Sequence, residues 1–225
     1  MKQPTAASSG DLAVGEVERL ALAYAAKRDR SRFLALFALD ERMRRIVSQA
    51  REPLLSQMRL AWWRDQLAEP PLRTSNPDPL LSLVAGTWTG EERSLVALIN
   101  GWEGLLGEPP LAREAFAGLI DGRAEAAAGL ARLVEPAADG EAVRLAARCW
   151  AAADLMARLS AAKERDTVRE MATALPGCPP RLPRSLRPLA VLSALGARAI
   201  SRGGGPLLAR RSDALWALRA GLLGR

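Results

Sequence analysis

The chain has 225 residues, 49% of them hydrophobic, with 32 Lys and Arg against 25 Asp and Glu for a formal charge of +7. That size suits one folded domain spanning the whole chain, with a sizeable core. The absence of any histidine excludes Ser-His and Cys-His catalysis, and the two distant cysteines, Cys149 and Cys178, argue against a disulfide framework and a zinc site.

Taken in chain order, the pattern is one helix after another. Residues 1–10 are small and polar and are expected to lack fixed structure. Val14, Val17, Leu20 and Tyr24 form a first helical stripe, and Phe33, Leu36, Met43 and Val47 a second. Leu54, Leu55, Met58 and Trp62 form a third, with Pro53 suited to a first turn. Thr89 and Glu92 fit a capping box opening the helix of Leu95, Val96 and Ile99. Two longer stripes follow, one through Phe116, Leu119, Ile120, Ala127, Leu130 and Val134, the other through Leu145, Cys149, Ala152, Met156 and Leu159. Proline and glycine clusters at 69–79, 107–110, 134–140, 176–183 and 201–206 separate them, and strand alternation is nowhere sustained. The expectation is an all-α bundle of about eight to ten helices.

Charge is unevenly placed. From residue 181 onward nine arginines face a single acid, Asp213, so this segment carries +8 and residues 1–180 sum to −1. Arg181, Arg184 and Arg187 are candidates for facing an anionic membrane surface. Nucleic-acid binding is not expected, for the arginines come with no recognition motif and no interleaved aromatics. No uncharged apolar run reaches the ~18 residues of a membrane span, and no secretion signal is apparent. A reducing, cytoplasmic setting is expected, with peripheral association at the inner membrane as an option.

The segments FLALFALDERMRRIVSQAREPLLSQMRLAWWRDQL (33–67), AFAGLIDGRAEA (115–126), RCWAAADLMARL (148–159) and LPRSLRPLAVLSAL (182–195) together resemble the squalene/phytoene synthase family in order and spacing. The resemblance implies the isoprenoid-synthase fold, a helical bundle around a deep cavity where Mg²⁺ held by two aspartate-rich motifs serves prenyl diphosphates. Carboxylates one turn apart on a helix can reach the same metal ions, which explains the spacing of such motifs. Here the first motif falls on RRIVSQ, so that Arg44, Arg45 and Ser48 stand where the acids would be, with Asp40 one turn earlier. The second falls on about DLMARLSAAKE, where the only acids, Asp154 and Glu164, are too far apart to share a metal.

From these positions the sequence suggests an Asp40–Arg44 pair facing the cavity and a surface ion pair between Asp154 and Arg158. Asp121 and Glu125 form the best carboxylate pair at helical spacing, read as an exposed polar face in preference to a weak cation site. Arg59 lies one turn before Trp63, where a guanidinium can cover an indole. What the resemblance implies is a catalytically degenerate member without metal or cofactor. Relatives that have lost the aspartates include a respiratory complex I assembly factor, which points to an accessory role at a membrane, with an isoprenoid lipid or a membrane protein subunit as partner. A narrowed apolar pocket beside the Phe33–Val47 helix is expected. The alternative is an active prenyltransferase that uses Mg²⁺ and grips diphosphate through Arg42, Arg44, Arg45 and Arg59.

Overall fold

The structure, a computed structural model, describes residues 12–68, 78–176 and 181–223. Cys178 and the expectation for residues 1–10 therefore lie outside the described residues. Ten α-helices and no strand occur among the described residues: α1 (Glu16–Leu22), α2 (Arg30–Ser48), α3 (Pro53–Ala68), α4 (Pro79–Thr87), α5 (Glu92–Glu103), α6 (Arg113–Val134), α7 (Gly140–Arg158), α8 (Ala162–Thr173), α9 (Arg187–Ser201) and α10 (Arg211–Leu223). The fold is all-α.

Several of these helices begin where the local chemistry directs. The Asp78 carboxylate accepts the Leu80 N–H at 2.8 Å and Pro79 occupies the first position of α4, while Asp139 accepts the Glu141 N–H to open α7. The Thr89–Glu92 capping box expected before α5 does not form. Glu92 accepts the Gly90 N–H, but the Thr89 hydroxyl turns back to the Ala85 carbonyl and Glu91 occupies the cap position.

α6 and α7 are the long central helices. α5 packs on α6, α6 on α7, α7 on α9 and α9 on α10, with α3 against α5, α2 against α4 and α5, and α1 against α9. Two glycines permit the tightest of these approaches. A Cβ on Gly122 would stand 2.5 Å from the Ala97 carbonyl oxygen of α5, and one on Gly196 would stand 2.7 Å from the Cys149 carbonyl oxygen of α7. Backbone thus meets backbone on either side of the centre. The core is filled by leucines and a few large rings, Trp88, Trp150, Phe33, Phe37 and Phe116 among them.

The helical stripes hold best where a helix has one solvent face. On α6 the residues from Phe116 to Val134 that form the apolar stripe are all buried. On α1 the buried face is Glu18, Ala21 and Leu22, rotated from the expected Val17 and Leu20, while Val14, just before the helix, is buried as expected. On α3 the expected stripe is reversed: Leu54, Leu55, Met58 and Trp62 are exposed, and Ser56, Leu60, Trp63 and Leu67 point inward. α3 carries apolar residues on both faces, so periodicity alone cannot choose between them.

Candidate functional site

Five helices bring charged and aromatic side chains to the centre of the bundle. Arg123, on α6, is its hub. It occupies a stripe position, one turn after Leu119 and one turn before Ala127, so the helix turns the guanidinium inward with its apolar neighbours. Arg123 is 2% exposed. Its Nε and Nη2 donate to the Asp40 carboxylate of α2 at 3.1 and 2.8 Å, and its Nη1 donates to Asp154 of α7 at 3.0 Å. The indoles of Trp102 on α5 and Trp150 on α7 lie against it, with ring centroids 5.3 and 4.7 Å from its Cζ.

The remaining polar atoms are taken up in turn. Trp102 Nε1 donates to Asp40 at 2.8 Å, and Arg158 Nε donates to Asp154 at 2.8 Å from one turn along α7. Trp150 Nε1 donates to Glu18 of α1 at 3.2 Å. Burial alone would lower the Arg123 pKa, but the Asp40 and Asp154 charges more than offset it and hold the guanidinium above its ordinary range. Arg123 and Arg158 together balance Asp40 and Asp154, which leaves Glu18 as a surplus acid. Burial, helped by the Asp154 and Asp40 charges, pushes its carboxyl from 4.5 up to about 7, against its own backbone hydrogen bond and the opposing charge of Arg123.

These partners change two of the sequence expectations. Asp40 does face the centre, but it is paired with Arg123 and not with Arg44. Arg44 binds Glu41 through Nε and Nη2 at 2.7 and 2.6 Å, and Arg45 Nε adds a further bond to the same carboxylate at 2.8 Å. Those bonds outweigh burial and lower the Glu41 pKa. Asp154 keeps its expected i,i+4 bond to Arg158 but is buried instead of lying on the surface. From Cys149 to Met156 every residue of α7 is buried, because the helix is packed against α6, α8 and α9 and has no solvent face there.

The other candidates lie away from the centre. Ser48 is exposed and its hydroxyl donates to the Arg45 carbonyl. Asp121 and Glu125 accept from Arg148 and Arg144 at 2.9 and 2.6 Å, an ion-paired seam between α6 and α7. Arg42, and not Arg59, lies over the Trp63 ring, at 5.5 Å, while also donating to Asp78 at 3.2 Å. Arg59 lines an open groove of roughly 550 Å³ with Arg42, Ile46, Leu55, Met58, Trp62 and Trp63. A smaller pocket of roughly 130 Å³, which shares Arg42 with the groove, lies between Leu12, Ala38, Arg42 and Leu80. Both border the Phe33–Val47 helix, but the larger is an open surface groove and neither is the enclosed apolar pocket expected there; neither is lined by Arg123, Asp40 or Asp154.

The centre does not fit a Mg²⁺–diphosphate site. Mg²⁺ needs several oxygen ligands at about 2.1 Å, and here guanidinium donors engage both Asp40 and Asp154. Among the described residues no group of three or more Asp, Glu, Cys or His side chains could hold a metal ion. Arg123 and Glu18 escaped the sequence reading. Arg123 lies between Asp121 and Glu125 in sequence, yet its stripe position between Leu119 and Ala127 is a usable signal that it points inward. Among the described residues no helix is long and apolar enough to cross a membrane. Comparisons with family models, curated proteins and solved structures find no match to this chain.

Proposed function

We propose that this chain is a non-catalytic protein of squalene/phytoene synthase type that serves an accessory role at a membrane, with an isoprenoid lipid or a membrane protein subunit as its partner. The observation that carries this reading is Arg123 lying between Asp40 and Asp154. The helices that resemble the two motif helices of that family, α2 and α7, each supply one carboxylate to the centre. A fixed internal cation binds both. A guanidinium held there supplies neither the ligands nor the open coordination positions that metal-assisted ionisation of a diphosphate requires. Three of the four arginines of the prenyltransferase alternative are engaged, Arg44 and Arg45 by Glu41 and Arg42 by Asp78.

The test is pyrophosphate release from farnesyl and geranylgeranyl diphosphate by the purified protein with Mg²⁺. The proposed reading expects no release above the protein-free control at any Mg²⁺ concentration. Mg²⁺-dependent turnover would reverse it and establish the prenyltransferase.

A further inference from the structure

Helix α10 is built inside out. The residues it turns toward α9 and Tyr24 are small or polar: Asp213, Ala217 and Ala220 are buried, and Gly221 lies so close to the Tyr24 ring that a Cβ there would overlap it. Its large apolar side chains point away from the protein, with Leu215 67%, Trp216 39%, Leu218 46% and Leu222 55% exposed. An amphipathic surface helix ordinarily does the reverse. Leu215, Leu218 and Leu222, at i, i+3 and i+7, form one stripe opposite Ala217, with Arg219 inside it and Trp216 on its flank. Contiguous apolar surface of this kind on a soluble protein marks a place that something covers.

The charge around the stripe says what kind of surface covers it. The only acid after residue 181, Asp213, is buried and fully engaged. It accepts from Arg198 at 2.7 Å, from Arg202 at 2.6 Å, and from the Ala209 and Arg210 N–H groups. Burial raises its pKa, but these bonds together draw it down to about 2, so it stays ionised and internal to the fold. Outside, Arg181, Arg184, Arg210 and Arg219 are exposed and make no ion pair among the described residues. Arg198 and Arg219 lie over the Trp216 ring at 5.5 and 5.1 Å. Arg187 donates to the Leu222 carbonyl at 2.6 Å and so fixes the end of α10, which removes it from the membrane-facing candidates while Arg184 remains one turn away.

We propose that α10 is the surface by which this protein rests on an anionic lipid bilayer. Leu215, Leu218 and Leu222 enter the boundary between headgroups and acyl chains, Trp216 sits at headgroup depth, and Arg184, Arg210 and Arg219 pair with lipid phosphates. This deepens the membrane part of the reading above and rests on it. A second copy seated on the same face would set arginines against arginines with no free acid on the segment to meet them. α3 provides an internal comparison, since it also exposes Leu54, Leu55, Met58 and Trp62, but Glu52 and Asp65 lie among its arginines and Arg64 is held by Glu103, whereas the segment around α10 carries no exposed acid among the described residues.

The test is co-sedimentation of the full chain with phosphatidylcholine vesicles with and without phosphatidylserine. The wild type should pellet with the anionic vesicles alone, and less as salt rises. Leu215→Glu with Leu218→Glu should lower that partition by about tenfold or more at unchanged helical circular dichroism. Met58→Glu with Trp62→Glu on α3 should leave it within about twofold. Equal binding to both vesicle types, or loss on the α3 change with retention on the α10 change, overturns the assignment of α10 while leaving membrane association intact. Failure of the wild type to bind either vesicle overturns both. If instead the α10 change converts a dimer to a monomer in light scattering, or abolishes capture of an acidic protein with no vesicle binding, the face belongs to a protein partner and the proposal fails. The non-catalytic part of the reading is decided separately, by pyrophosphate release.

Discussion

Arg123 and Arg219 both lie over tryptophan rings, yet one is enclosed with two carboxylates at hydrogen-bond distance and the other has neither an acid nor a cover. At the centre of the bundle, water is excluded and every charge must be met by the fold itself, because an unpaired buried ion costs several kcal/mol. Along α10 the same residue types are left unmatched, and the apolar side chains beside them face solvent. The network inside is closed by the fold's own residues, and the surface along α10 is open, basic and apolar. The middle of the bundle is filled by its own residues.

The comparison breaks most readily at Arg123. Arg123→Met leaves Asp40, Asp154 and Glu18 without their shared cation and should destabilise the protein by about 3 to 5 kcal/mol in urea denaturation, whereas Arg219→Met should stay within about 0.5 kcal/mol. Equal effects at the two positions would erase the distinction between centre and flank.

Glu18 sharpens the account through pH. Its pKa is raised from 4.5 to about 7, so the folded protein binds more protons than the unfolded chain between those values. Stability therefore falls as pH rises from 4.5 to 7 and levels off above, for a penalty of about 3 kcal/mol from this group. Glu18→Gln keeps an acceptor for Trp150 Nε1 without the charge. The variant should gain most of that penalty above pH 7, gain little below pH 4.5, and show a flatter melting profile between. A uniform gain or loss at all pH values would place the titration elsewhere.

The smallest effect is expected at Arg44. Arg44→Ala removes two bonds to Glu41, but Arg45 remains on that carboxylate and the site is part-exposed, so thermal melting should report a loss of about 1 kcal/mol or less. A loss approaching that of Arg123→Met would mean that Arg44 supports the centre after all.

How much of this was legible in the sequence follows from the range of each interaction. Helix count and most stripes are local properties and could be read, as could the Asp154–Arg158 bond at one turn's spacing. The same local rule misled at Asp40. It offered Arg44 four residues on, while the true partner lies 83 residues away on α6. Glu18 and Trp150 are 132 residues apart and share no pattern at all. α3 defeated the stripe argument for a different reason, having apolar residues on both faces, and α7 because its C-terminal half has no solvent face to mark. The basic character of the last segment was plain from composition. That its large apolar residues point outward required knowing that Asp213, Ala217, Ala220 and Gly221 are the ones that fit against α9 and Tyr24.

Arg123, Arg158, Asp40 and Asp154 form one mutually neutralising set at the centre, with Glu18 outside it, and replacing Arg123 together with the two aspartates tests this most directly. Urea denaturation of Arg123→Met alone should be compared with Arg123→Met combined with Asp40→Asn and Asp154→Asn. If the carboxylates are destabilising only for want of their cation, removing them should recover most of the stability lost in the single variant, since a buried ion pair replaced as a unit is often near neutral. A triple variant no more stable than Arg123→Met, or a single variant indistinguishable from wild type, would contradict the account.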